Sequence, residues 1–192
     1  SGARAIVEGV RTGGDAALRE AAARHGGGLK DGTVTVSHDE LTAARDRIDR
    51  DLRTALEAAA TAVADVHRDQ IPTPQTSSPL PGVDVERRWA PLRRVGVYAP
   101  GGLAAYPSSV LMACGPARLA GVAQIAGASP AGPDGAVGDA VPAACSNGGA
   151  TEHHAMGGAQ AIAALAYGTE TIAPVDKIVG PGNAWVTAAK LE

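Results

Sequence analysis

From Val95 onward the chain alternates short apolar runs with longer stretches of helical period. The apolar runs are Val95 to Ala99, Gln124 to Ala128, His153 to Met156 and Lys177 to Val179. Short runs of this kind, bounded by Gly and Pro, read as buried strands. Between and after them, Pro107 to Ala120, Gly135 to Cys145, Gly158 to Tyr167 and a segment opening at Asn183 predict helices. Four strand-helix repeats imply a parallel sheet with right-handed crossovers.

The first third has a different pattern. Ala5 to His25 predicts a helix stopped by Gly26-Gly27-Gly28, since glycine readily takes the left-handed conformation a helix end needs. Ser37-His38-Asp39-Glu40 has the form of a capping box. Beyond it, Leu52, Leu56, Ala59, Val63 and Val66 recur at spacings of four and three, which puts them on one helix face and predicts that face as core. Ile71 to Asp84 carries Pro72, Pro74, Pro79 and Pro81, each without a backbone donor, and reads as loop or linker. The predicted organisation is α/β: an N-terminal helical segment (1–70), a proline-rich linker (71–84), and a Rossmann-like parallel sheet with flanking helices (85–192). Between Ser129 and Ala150, Pro130, Pro133 and Pro142 lie among glycines. That stretch reads either as a degenerate crossover helix or as a mobile loop.

Composition narrows the function classes. From Val95 to the end there are three Lys/Arg and six Asp/Glu among many Ala, Gly and Val, the composition of a sheet covered on both faces. No run of eighteen apolar residues offers a membrane span, and no basic-then-apolar leader is present, so a cytoplasmic protein is expected. The net charge of −3 comes without a Lys/Arg stripe, which argues against nucleic acid as a partner. Arg87, Arg88, Arg93 and Arg94, the one basic cluster, read as a solvated hairpin. Cys114 and Cys145 read as buried free thiols in helices.

Ligands of open parallel sheets bind at the carboxyl ends of the strands, where helix N-termini converge. Here those ends carry Gly101-Gly102, Gly157-Gly158 and Gly180-Pro181-Gly182. Such turns permit close backbone approach to a ligand, and they also simply join strands to helices. Neither a Gly-x-Gly-x-x-Gly fingerprint nor a phosphate loop occurs. His25, His38 and His67 fall at helix ends or on helix surfaces. His153 and His154 are adjacent on a predicted strand and point to opposite faces, so they cannot chelate one metal; no metal site is predicted.

Three blocks carry a family resemblance: Val95-Gly96-Val97-Tyr98-Ala99-Pro100-Gly101-Gly102 with Ala105 to Met112, then Gly157 to Gly168, then Val175 to Asn183. In this order they resemble the histidinol dehydrogenases, zinc- and NAD-dependent enzymes of histidine biosynthesis. The resemblance implies NAD as cofactor, held through Tyr98, Gln160 and Asn183, whose phenol and amides offer suitable donors and acceptors. Read without the resemblance, Tyr98 is a half-buried strand aromatic, Gln160 a polar first-turn residue and Asn183 a helix cap. The family's reaction is two-step oxidation of L-histidinol to L-histidine, with zinc holding the substrate. Its zinc ligands and catalytic Glu-His pair map past Glu192, so no catalytic residue is assigned and dehydrogenation by this chain alone is not expected. A small-molecule ligand and a homodimer are the implied partners. Two rival readings remain: a short homologue using Tyr98, Gln160, Asn183 and the Glu152/His153/His154 cluster for a non-redox cyclisation or isomerisation, and a non-catalytic binding protein.

Overall fold

Two layers of helices enclose a five-stranded sheet. The computed structural model describes residues 2–29, 31–101 and 104–192; Gly102 of the Gly101-Gly102 turn lies outside them. In chain order the elements are α1 (Gly2–His25), β1 (Thr35–Val36), α2 (His38–Arg47), α3 (Arg50–Arg68), β2 (Gln75–Leu80), β3 (Val83–Arg87) and β4 (Arg94–Tyr98). They continue with α4 (Pro107–Leu119), β5 (Gln124–Ser129), α5 (Ala140–Gly148), β6 (Glu152–Ala155), α6 (Gly158–Tyr167), β7 (Lys177–Val179) and α7 (Ala184–Lys190). The sheet order is β1-β6-β5-β4-β7, with β4 to β7 parallel and β1 antiparallel at one edge. Chain order thus reverses at β4, as in half of a doubly wound nucleotide-binding fold.

Strand alternation sorts the core into two faces. Tyr98, Ala126 and Ala128 pack under α1, α6 and α7; Val95, Val97 and Ile125 pack against α2 to α5. Glycines permit close approach on each face. A Cβ at Gly96 would come within 3.1 Å of Leu165 Cδ1, and one at Gly127 within 3.1 Å of Cys145 Sγ. Both cysteines are free and buried. Among the described residues no helix is long and apolar enough to cross a membrane.

The parallel sheet and its flanking helices follow the predicted alternation, and α6 and β7 have the predicted bounds. Four departures have physical causes. First, α1 is broken at Gly14, whose φ of 53° and ψ of −139° no helix interior adopts. Second, the segment read as a linker contains most of a β-hairpin: β2 pairs antiparallel with β3 across Pro81-Gly82, with Gly82 at φ 80° as a type II turn requires. Pro79 is tolerated because the register shifts between Ser77 and Leu80.

Third, the crossover between β5 and β6 holds a formed helix, α5, packed on α4 and α2 and ended by left-handed Gly149. Pro142 fits because it falls in the first turn, where N–H groups have no intrahelical partner. This proline places the start of the helix at Ala140 rather than near Gly135. Fourth, on α3 the apolar stripe fades toward the C-terminus: Leu56 is buried, whereas Val66 is 66% exposed. The cap of α2 is partly as predicted. Ser37 Oγ accepts the Glu40 N–H at 3.3 Å, while the Glu40 carboxylate binds Arg47, which also reaches Asp139 beside α5.

A polar strip crosses the sheet within the core. Arg94 pairs with Glu152, Glu152 lies 3.7 Å from His154 Nε2, and His154 Nδ1 meets Thr35 Oγ1 at 3.0 Å. On the opposite face His153 Nε2 meets Ser129 Oγ at 2.9 Å. Burial, together with the neighbouring His154, pushes His153 down to about 3. His154 is lowered by burial against the pull of Glu152, with Arg94 adding to the lowering.

Both imidazoles are therefore neutral in the fold and take up protons on unfolding. Their contribution is complete above the unfolded value near 6.5 and is lost as pH falls toward the folded values. Denaturant titrations at pH 7.5 and pH 5 should differ by about 2 kcal/mol for His153 alone, with His154 acting in the same sense. Equal stabilities would mean that these rings protonate without cost in the folded protein. Gly180 yields a second prediction. At φ 118°, a Cβ there would lie 1.9 Å from the Tyr98 carbonyl oxygen, so Gly180→Ala should lower the unfolding free energy by roughly 3 kcal/mol, measured by urea denaturation.

Candidate functional site at the strand ends

The reversal of strand order at β4 opens a crevice between the segments that leave the sheet. A cleft of about 460 Å³ lies there. Tyr98 and Pro100 enter it from the end of β4, Pro130 and Ala131 from β5, Gly157 to Gln160 from β6, and Asn183 and Trp185 from β7. His25, Gly26 and Gly27, at the end of α1, close one side. Tyr98, Gln160 and Asn183, far apart in sequence, thus share one cleft.

Tyr98 is buried on the sheet, and its phenol oxygen accepts the Gly158 N–H at 3.2 Å. Burial raises its pKa, with the Gly158 bond working against that rise, so the phenol stays protonated. Since the oxygen already accepts from Gly158, the O–H remains a donor for a ligand. Gln160 is the third residue of α6 and only 2% exposed, yet its amide makes no hydrogen bond to a described residue. It folds over Gly158, where a Cβ would meet Oε1 at 2.8 Å. The φ of 67° at Gly158 requires glycine as well. The N-cap residue Gly157 has no capping side chain, and apart from the neutral Tyr98 phenol on its first N–H the start of α6 faces the cleft without a protein anion.

Asn183 does cap α7: its Oδ1 accepts from Trp185 N at 3.0 Å and Val186 N at 3.1 Å. That leaves its amide N–H groups for the cleft. Trp185 is half exposed there. Among the described lining residues none is a carboxylate, lysine or arginine. A ligand would be held by neutral donors, backbone N–H groups and ring faces.

Sequence reasoning did not place His25, Gly26-Gly27, Pro130-Ala131 or Trp185 in the site. The glycine pair was legible as a helix stop, but nothing local indicates that the stop faces Gly157. Conversely, Glu152, His153 and His154 do not line the cleft. Glu152 and His154 belong to the partly buried strip and His153 to the opposite face, away from Tyr98, Gln160 and Asn183. Among the described residues no group of three His, Cys, Asp or Glu side chains is arranged to hold a metal. A second groove of about 580 Å³ lies beside α3, α4 and the β4/β7 ends, lined mainly by apolar residues including Trp89, Leu92 and Val122. It lacks the convergent donors of the first.

The family model for histidinol dehydrogenase matches residues 1–192. Histidinol dehydrogenase of Methanothermobacter thermautotrophicus is 48% identical over 185 residues, covering 96% of this chain and 43% of the relative. That of Rhizobium meliloti is 49% identical over 190 residues, covering 97% and 43%. The crystal structure of histidinol dehydrogenase from Elizabethkingia anophelis superposes with a TM-score of 0.90 at 34% identity, covering 98% of this chain and 43% of that one. The chain therefore spans less than half the length of these relatives, and over that span it belongs to the histidinol dehydrogenase family.

Proposed function

We propose that this chain is the NAD-binding part of a histidinol dehydrogenase, in which the whole protein oxidises L-histidinol through the aldehyde to L-histidine with two NAD. The observation that carries the reading is the Gln160 side chain, which makes no hydrogen bond to a described residue, lining the cleft beside the start of α6 and the Tyr98 phenol that binds its first N–H. An amide that lines the cleft without a protein partner offers a polar ligand both a donor and an acceptor. Tyr98 donates its O–H, Gln160 offers both amide functions, and Asn183 offers its N–H groups while holding α7. Gly157 and Gly158 let the ligand approach the backbone. NAD supplies the hydride acceptor of the reaction when bound. The described residues gather no donor set for zinc, so no step through a metal is assigned to them, and the 192 residues alone are proposed to bind cofactor without oxidising histidinol.

We further propose a homodimer. Every residue of β2 and β3 is exposed, including Leu80, Val83 and Val85. A two-stranded hairpin without a packed face is marginal in water. Trp89 and Leu92, also exposed, continue this apolar surface toward the second groove.

Two measurements test these readings. Calorimetric titration with NAD should give saturable binding that weakens at least about tenfold in Gln160→Ala, the loss expected for a buried hydrogen-bonding group. Absence of binding to the folded protein would remove the cofactor reading. Sedimentation equilibrium should show a dimer that dissociates in the double variant Val83→Asp/Val85→Asp. A wild-type monomer at all concentrations would exclude the assembly.

A further inference from the structure

We infer that Glu170, on the surface loop after α6, is a positioning residue for the cleft, acting through the second half of α1; its effect on ligand affinity rests on the cofactor reading above. The break at Gly14 makes residues 15–25 a separate helical segment with its own N-terminus. The first N–H of that segment, at Asp15, donates to Glu170 Oε2 at 2.7 Å. A carboxylate there caps a free donor and lies favourably in the helix dipole. Gly14 makes this possible, since a Cβ on residue 14 would lie 2.3 Å from Glu170 Oε2 and 2.6 Å from Oε1.

The tie is reciprocal. Thr171 Oγ1 donates to Asp15 Oδ1 at 3.0 Å, and Arg19 stands 3.5 Å from Asp15 Oδ2. Asp15 is 6% exposed. Burial works against its charge, but the hydroxyls of Thr169 and Thr171 and the Arg19 guanidinium outweigh that and hold its carboxyl below the usual range.

The other end of the same helical segment is the cleft wall. Gly26 N–H closes the helix on Ala22 O at 2.8 Å, and Gly27 O accepts the Ala131 N–H at 2.9 Å. A Cβ on Gly27 would meet Pro130 Cβ at 3.0 Å and Gly157 N at 3.4 Å. The segment is about 16 Å long and rigid. Meanwhile α6 runs the opposite way, from Gly158 in the cleft to Tyr167, three residues before Glu170. Helix 15–25, whose Leu18 shares a core cluster with Ile162 and Leu165 of α6, therefore forms with α6 two struts between one loop and one cleft. Glu170 locks them at the far end, and the spacing of Gly26-Gly27 from Gly157-Gly158 follows at the near end.

Because Glu170 is exposed, replacing it leaves the core intact. Hydrogen exchange by mass spectrometry on Glu170→Ala should show amides of residues 15–27 and Ala131 exchanging about fivefold faster, the effect of losing one helix cap, with 94–98 and 124–129 unchanged. The NAD dissociation constant should rise about fivefold by the same loss, and Glu170→Gln, which keeps an acceptor, should fall between. Wild-type exchange at residues 24–27 and 131 in folded Glu170→Ala would overturn the inference. So would uniformly faster exchange across the chain, the signature of a merely structural role. Failure of the unsubstituted protein to bind NAD would count against the cofactor reading alone, and the exchange pattern would still decide the role of Glu170.

Discussion

The close approach of helices to both faces of the parallel sheet is the constraint on which the rest of this structure depends. It is possible because side chains are missing where the layers meet. Gly96 leaves room for Leu165 and Val175 on one face, and Gly127 leaves room for Cys145 and His153 on the other. The seven consecutive buried residues Ala159 to Leu165, all but Gln160 apolar, bury α6 around its whole circumference, a composition that suits a helix covered on all sides. At the end of the sheet, Gly180 brings β7 against the Tyr98 carbonyl so closely that no Cβ fits. A sheet packed at this density transmits small changes in one layer to the next, because interiors of protein density deform little.

The cleft follows from that packing. With β4 and β7 in register and chain order reversing between them, the segments leaving the strands diverge, and their backbone N–H groups face the gap. The Tyr98 phenol then links the end of β4 to the start of α6. This bond places a protonated donor at the start of α6, beside the Gln160 amide. The site is nearly free of charged side chains, so its polarity comes from oriented neutral groups, which hold their direction only as well as the elements carrying them.

A partly buried strip runs elsewhere, from the Arg94–Glu152 ion pair through the neutral His154 to Thr35. That strip ties the sheet interior to β1, a two-residue edge strand with few contacts of its own. Buried pairs of this kind add little net stability, because desolvation offsets attraction. Here it marks the register in which β1 meets β6, with Thr35 opposite His154.

Much of the fold was legible because strand and helix periods differ and because glycine and proline punctuate them. The four parallel strands and α4, α6 and α7 follow from that pattern alone, and the capping role of Asn183 was one of its two open readings. The hairpin at 75–87 was not legible, since four prolines suggest loop, and only pairing shows that Pro79 sits at a register shift and Pro81 in the turn. The start of α5 was set by Pro142 needing a first turn. The site was legible in part. The residue types at Tyr98, Gln160 and Asn183 and their strand-end positions were readable, whereas the wall from His25 to Gly27 was not. What the sequence alone determined is local: periodicity, turn chemistry and the motifs that mark the family. What only the tertiary structure decided is which distant segments meet, Gly27 against Gly157 and Glu170 against Asp15. Such contacts depend on how rigid elements pack across the sheet, and no local pattern of residues encodes that.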